Sequence, residues 1–154
     1  MQRRTFLKGS LAGSAVAVAV GAGLLSPRAV LAAWPKSAFE AKNVQDAMNG
    51  LFGSAQSAPS SDINIKAPDI AENGAVVPVS VKTGMADVSD ISIIVEKNGT
   101  PMAANFVLGS TAKGNVSTRI KMGKTSNVIA VVKAGGKLYS ARKEVKVTIG
   151  GCGG

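Results

Sequence analysis

The sequence contains no histidine and only one cysteine, Cys152. Without histidine it cannot form a Ser-His-Asp or Cys-His catalytic group, or a zinc, copper or haem site that needs an imidazole ligand. A single cysteine also excludes a CxxC motif, a disulfide within the chain and a metal site built from several thiolates. No other cofactor motif is present, so we expect no cofactor, no metal and no catalytic residue in this chain.

Aromatic residues make up only 4% of the sequence, and 9 acidic residues stand against 18 basic ones. Four of the basic residues lie in the first 32 positions, which leaves 14 − 9 = +5 for the rest of the chain. These charges are scattered singly and few aromatic side chains are available for stacking, so the pattern does not favour a nucleic-acid partner. A positive field of this kind mildly favours small anions or an acidic protein.

The N-terminal residues 1–32 have the pattern of an export signal. Arg3 and Arg4 stand together in QRRTFLK, which matches the twin-arginine consensus, and an apolar segment rich in Ala, Gly and Val covers residues 11–25. That segment is too short and too rich in glycine for a comfortable transmembrane helix. We therefore predict a twin-arginine signal peptide over 1–32, cleavage next to Ala32, a periplasmic location and no membrane anchor after cleavage.

The twin-arginine route carries proteins that are already folded, and many of its cargoes fold around a cofactor. This sequence offers no cofactor motif, so the route needs another explanation. We hypothesise that the protein folds before export in order to leave the cytoplasm with a bound partner that has no signal of its own.

The start of the mature chain predicts a single helix. Apolar residues at helical spacing indicate an amphipathic helix over 36–49 that packs on a sheet, with Gly50 and Gly53 ending it. The following residues, 54–61, are polar and rich in serine. We assign residues 33–61 to this helix and a polar connector.

The segment 62–149 has the pattern of a small all-β domain. Apolar and polar residues alternate in about seven segments at spacings of roughly 8–14 residues, with Asn98-Gly99 and Gly135-Gly136 as predicted hairpin turns. Pro78 predicts an edge strand or a bulge, because proline donates no backbone hydrogen bond. The predicted fold is mainly β, an immunoglobulin-like antiparallel β-sandwich with one N-terminal helix. The predicted strands are 63–65, 75–82, 91–97, 104–108, 116–122, 127–133 and 138–149.

The last five residues, 150–154, place the cysteine between two pairs of glycines. Glycine lacks a Cβ and adopts both signs of φ, so the pattern predicts a flexible swinging arm that carries a sterically bare thiol. No base lies beside Cys152 in the sequence to activate its sulfur, so the arm suits covalent attachment of a substrate better than catalysis. The glycines that provide this flexibility are Gly150, Gly151, Gly153 and Gly154.

Two other interpretations stay open at this point. A non-catalytic periplasmic binding module could use Cys152 only to form a disulfide-linked dimer, although the four glycines would then be surplus. An enzyme would need a cluster of catalytic side chains, and the candidate carboxylates Asp87 and Asp90 lie in a turn-like segment that is better explained as a solvated loop.

The twin-arginine signal, the β-rich domain and a chain ending in Gly-Gly-Cys-Gly-Gly together resemble the SoxY family. SoxY proteins are the sulfur-carrier subunits of the periplasmic thiosulfate-oxidising (Sox) system. The resemblance implies that Cys152 is the residue that holds the sulfur intermediates and that the four glycines serve the arm. It also implies a carrier that partner enzymes act upon, and not an enzyme.

The same resemblance implies the partners of the chain. A c-type cytochrome complex would couple thiosulfate oxidatively to Cys152, and a metal-dependent hydrolase would release sulfate from the product. A molybdenum sulfane dehydrogenase, where the organism has one, would oxidise the remaining sulfane sulfur. The carrier would form a heterodimer with SoxZ, a small β-sandwich subunit without an export signal, in agreement with the hypothesis of joint export.

Overall fold

The computed structural model describes residues 35–148, which form a mainly β protein with two sheets and few helices. The prediction of a mainly β fold is confirmed, whereas its immunoglobulin-like classification stays a prediction. The predicted signal peptide with Arg3 and Arg4 and the predicted arm over 150–154 lie outside the described residues. No helix in the described part is long and apolar enough to cross a membrane.

The helices and strands pair into two sheets, one larger than the other. The larger sheet has the order β1-β9-β8-β5-β6, with β3 also paired to β9, and the smaller sheet has the order β2-β4-β7. The helices are α1 (Lys36–Glu40) and α2 (Val44–Phe52). The strands are β1 (Ala58–Pro59), β2 (Ile63–Lys66), β3 (Ile70–Ala71), β4 (Val77–Thr83), β5 (Val88–Val95), β6 (Met102–Val107), β7 (Asn115–Ile120), β8 (Ser126–Ala134) and β9 (Lys137–Val147).

The main core lies between the two sheets. Strand β4 shows the principle, because Val77, Val79 and Val81 are buried while Pro78 and Lys82 are exposed. Successive side chains of a strand point to opposite faces, so the alternation of valines places one apolar face of β4 inward. Buried residues of both sheets form one contiguous cluster, which holds the sheets face to face.

The central strands of the larger sheet are buried on both faces. Ile93 and Ile94 are each 0% exposed, yet Ile93 belongs to the core between the sheets and Ile94 packs with α1 and α2. This burial explains why residues 91–95 carry an almost continuous apolar run instead of an alternating one. The helices therefore form a third layer that covers the outer face of the larger sheet.

The single predicted helix over 36–49 is two helices in the structure. Asn43 has an extended backbone (φ −140°), and its side-chain oxygen accepts a hydrogen bond from the backbone N–H of Asp46 at 2.8 Å. An asparagine that caps a helix in this way starts a new helix, so the helical conformation is interrupted before Val44. The apolar spacing alone did not reveal this break, because both helices contribute residues to the same buried cluster.

Gly50 lies inside α2 and does not end it, which corrects the sequence prediction. A Cβ on Gly50 would lie 2.7 Å from the backbone nitrogen of Ala38, so glycine is what allows α1 and α2 to approach closely. The helix ends at Gly53, as predicted, where a positive φ of 72° lets the N–H bond to the carbonyl oxygen of Asn49 at 2.9 Å.

The prediction that Pro78 marks an edge strand or a bulge is wrong, because β4 is the central strand of the smaller sheet and pairs with β7 through Pro78 without a register shift. Strand β2 pairs with residues 80–83 of β4, whereas β7 pairs with residues 77–82. At Pro78 the strand therefore has a paired neighbour on one side only. A residue without an N–H is tolerated there, because no second strand needs its donor.

Both predicted hairpin turns connect paired strands, but only the second has the positive φ values of a tight glycine turn. Gly135 and Gly136 have positive φ values of 54° and 76° and connect β8 to β9 in the tight turn that such glycines favour. Strands β5 and β6 do form a hairpin, but neither Asn98 nor Gly99 has a positive φ. Asn98 instead bridges two loops, donating to the carbonyl of Lys121 at 2.7 Å and accepting from the N–H of Gly123 at 3.1 Å.

Two strands were absent from the sequence prediction. Strand β1 lies within the segment predicted as a polar connector, and β3 lies between β2 and β4. Each has only two residues and pairs in parallel with β9. An alternating pattern cannot develop over two residues, so only the partner strand defines them.

Candidate functional site

The sequence places the candidate site on Cys152, four positions beyond Thr148, which is the last residue that the structure describes. Cys152 and the glycines Gly150, Gly151, Gly153 and Gly154 all lie outside the described residues. The structure therefore defines the base from which the predicted arm starts. That base is the C-terminal end of β9.

One side of the β9 end is held by the segment that contains β3. The backbone N–H of Lys146 donates to the carbonyl oxygen of Asp69 at 2.9 Å, and that of Thr148 donates to the carbonyl oxygen of Ala71 at 3.2 Å. Ile70 lies in register with Lys146 between these two bonds. The pairing continues up to the last described residue, so the strand does not fray before it.

The other side of the β9 end is held by the loop that precedes β8. The backbone N–H of Val147 donates to the hydroxyl oxygen of Thr125 at 3.0 Å. Val145 is 0% exposed and contributes to the core between the sheets. Bonds from backbone N–H groups on both sides and a buried side chain therefore hold the C-terminal end of β9 in place.

A lysine side chain connects the same end of β9 to residues 67–69, the loop between β2 and β3. The ammonium of Lys143 donates to the carbonyl oxygen of Ala67 at 2.7 Å and lies 3.1 Å from a carboxylate oxygen of Asp69. The Asp69 side chain is 90% exposed, so water screens this ion pair and it contributes little to stability. The contacts of Lys143 serve mainly to position residues 67–69 beside β9.

The position of the base limits what the cysteine can reach. Four residues span at most about 14 Å when fully extended. A cleft of about 800 Å³ lies between residues 82–89 and 108–115, at the opposite end of the strands from the β9 terminus. An eight-residue strand such as β5 is roughly 26 Å long, so this cleft is out of reach of Cys152 from the same molecule.

The two acidic residues considered for an enzyme lie at the N-terminal end of β5. Asp87 lies in the turn before β5 with a φ of 52°, and its carbonyl oxygen accepts a hydrogen bond from the N–H of Gly135 at 3.1 Å. Asp90 lies within β5 and not in a loop, which corrects the prediction, and it accepts from the hydroxyl of Ser89 at 2.7 Å. Within residues 35–148, no group of three His, Cys, Asp or Glu side chains could hold a metal ion.

Comparison with known proteins identifies relatives of the chain. The sequence model of the family described as sulfur oxidation protein SoxY matches residues 48–152, so the matched region ends on Cys152. The solved structure of the sulfur carrier protein SoxY from Chlorobium limicola f thiosulfatophilum is 48% identical, with a TM-score of 0.63. That similarity covers 74% of this chain and 99% of the Chlorobium chain. None of the curated protein sequences compared with the chain matches it.

A second solved structure is similar in fold. The superoxide reductase (neelaredoxin) from Ignicoccus hospitalis is 22% identical with a TM-score of 0.50, over 56% of this chain and 79% of its own. At that identity the likeness shows the fold alone. The family match and the Chlorobium structure cover the β domain in both sequence and structure. The chain therefore belongs to the SoxY family of sulfur oxidation proteins.

Proposed function

We propose that this protein is a covalent carrier of sulfur intermediates in thiosulfate oxidation, with Cys152 as the attachment point. The observation that carries the proposal is the family match over residues 48–152, which includes the only cysteine of the chain. The Chlorobium relative is itself described as a sulfur carrier protein. The hydrogen-bonded end of β9 supports the proposal, because an arm that presents a substrate needs a fixed base.

The loading step is an oxidation of the Cys152 thiol together with thiosulfate. The thiol and S2O3²⁻ form a disulfide bond between the cysteine sulfur and the terminal sulfur of thiosulfate, which releases one proton and two electrons. We assign the electrons to a c-type cytochrome complex. The product is cysteine S-thiosulfonate, which keeps one negative charge.

The next step is a hydrolysis that leaves the carrier loaded. Water attacks the sulfur of the SO3 group. The bond between this sulfur and the sulfane sulfur breaks, and sulfate leaves. The sulfane sulfur keeps the electron pair and stays on Cys152 as a persulfide. We assign this step to a hydrolase. In organisms that have a sulfane dehydrogenase, that enzyme then oxidises the persulfide.

The division of labour follows from what the chain contains. The sequence has no histidine, and Cys152 stands between glycines that build no pocket around the sulfur. The carrier therefore supplies the thiol and its presentation, and the partner enzymes supply the catalysis. We further propose that the protein acts in the periplasm after twin-arginine export, as a heterodimer with a SoxZ-like subunit.

The mass of the protein isolated from cells exposed to thiosulfate tests the proposal. We expect a mass gain of one S2O3 unit, or of additional sulfur atoms, on the peptide that contains Cys152, and reductant should remove it. The same spectra show whether residues 1–32 have been cleaved. A bare thiol under thiosulfate-oxidising conditions, or only a homodimer linked through Cys152, would instead support the binding module that dimerises by a disulfide.

Replacing Gly151 and Gly153 together by leucine should slow the partner enzymes about tenfold or more, because branched side chains hinder entry of the thiol into a narrow site. The rate at which a small alkylating agent modifies the thiol should not change. The matched control replaces Gly99 and Gly109 by leucine, since a Cβ at either position would meet nothing within 4 Å. Equal turnover of the arm variant and the control would contradict the swinging-arm mechanism.

A further inference from the structure

Strand β6 forms one edge of the larger sheet, with β5 as its only paired neighbour among the described residues. The N–H of Leu108 donates to the carbonyl oxygen of Ser89 at 2.8 Å, which sets which residues of this hairpin bond to each other. Alternate residues of an antiparallel strand direct their backbone groups to opposite sides. The N–H and C=O groups of Asn105 and Val107 therefore point away from β5, along the open edge.

This edge lacks the features that protect the other edges. Strands β1 and β3 have two residues each, while β2 carries Lys66 and β7 carries Arg119. Strand β6 has six residues without a charge, and Val107 is 78% exposed. A register shift opposite Ile93 and Ile94 affects only the first residues of the strand. An uncharged open edge normally invites pairing with another strand.

The side chains of β6 already hold the strand in a conformation suited to pairing. Asn105 accepts a hydrogen bond from the hydroxyl of the fully buried Ser92 at 2.7 Å, and Phe106 packs against the core between the sheets. These contacts position the strand before a partner binds. A preorganised edge loses little conformational entropy on binding.

We propose that the β6 edge, defined as residues 104–107, binds an edge strand of the partner subunit and so extends the larger sheet into a second protein. The backbone groups of Asn105 and Val107 would form the new hydrogen bonds, as in other cases of strand addition. This inference rests on the proposed function in one respect, because it takes the SoxZ-like subunit as the partner.

Charge favours a different chain over a second copy of this one. Residues 33–154 carry 14 basic and 9 acidic side chains, a net charge of +5. Two copies with the same net charge repel each other, whereas a neutral or acidic subunit is not repelled. Net charge therefore favours a strand from a neutral or acidic β-sheet subunit over a second copy as the occupant of the β6 edge.

The location of the edge also leaves the candidate site uncovered. Strand β6 is separated from β9 by β8 and β5 in the order of the sheet. Three steps between neighbouring strands amount to about 14 Å, and an added strand lies about 5 Å further away. A subunit that binds at the β6 edge thus leaves the end of β9 open to the partner enzymes.

The test compares Val107→Pro with Val107→Ala in the mature chain. Both changes remove the isopropyl group, but only proline also removes the N–H on the open edge. That N–H takes no part in the β5–β6 pairing, so we expect both variants to melt like the native protein. The SoxZ-like subunit of the same organism should bind Val107→Pro at least about tenfold more weakly than Val107→Ala. In the native complex, hydrogen exchange at the amides of Asn105 and Val107 should slow.

Each other outcome overturns the inference. If the subunit binds both variants equally and the two amides exchange as in the free chain, the interface lies elsewhere, while the sulfur adduct on Cys152 remains a separate result. If the native chain does not bind the subunit at all, the proposed heterodimer fails as well. If the chain alone sediments as a dimer that Val107→Pro dissociates, the edge pairs with a second copy.

Discussion

Replacing Cys152 by serine should abolish thiosulfate-dependent turnover in a system reconstituted from the carrier and its partner enzymes. A serine hydroxyl cannot form the disulfide bond that attaches thiosulfate, and the sequence contains no other thiol to replace it. Serine differs from cysteine only by oxygen in place of sulfur, so the melting temperature should not change. Electron transfer to the cytochrome, measured after thiosulfate is added, reports the loss directly.

The control for this experiment is Gly154→Ser, which adds the same hydroxyl close to the thiol but keeps Cys152. We expect this variant to retain turnover. Any sustained turnover of Cys152→Ser would mean that thiosulfate is not oxidised on this residue, and the carrier mechanism would have to be abandoned. Loss of turnover in both variants would point to crowding of the arm instead of loss of the thiol.

Ile93→Ala and Ile94→Ala should each destabilise the protein by about 3 kcal/mol, although the two residues are neighbours in one strand. In a sheet with one solvated face, one of two adjacent side chains would be exposed and its truncation would cost little. Here both are 0% exposed, Ile93 in the core between the sheets and Ile94 beneath the helices. Chemical denaturation of the mature chain measures the free energy of unfolding of each variant.

Val107→Ala provides the matched control for these core changes, because Val107 is 78% exposed. Its effect should stay within about 0.5 kcal/mol, as is usual for surface positions. If Ile94→Ala were as mild as this control, the helices would not cover the larger sheet as a packed layer. The three-layer arrangement would then be wrong. A large effect of Ile93→Ala would still support the core between the sheets.

The strands that alternate clearly were predictable from the sequence. The valines of β4 mark its buried face, and Gly135 and Gly136 mark the turn between β8 and β9, because these features depend on neighbouring residues only. The break at Asn43 was harder to foresee. The same apolar spacing continues across it, and the cap becomes visible only in the backbone conformation and the bond to Asp46.

The chemistry proposed for the candidate site rests on residue types and their order alone. A lone cysteine among glycines, the absence of histidine and the resemblance to the SoxY family all follow from residue types and their order. Only the tertiary structure shows three other features: the partner strands of β9, the contact of Gly50 with α1 and the open edge of β6. Each of these depends on residues that are distant in the chain and become neighbours only when the sheets and helices pack together.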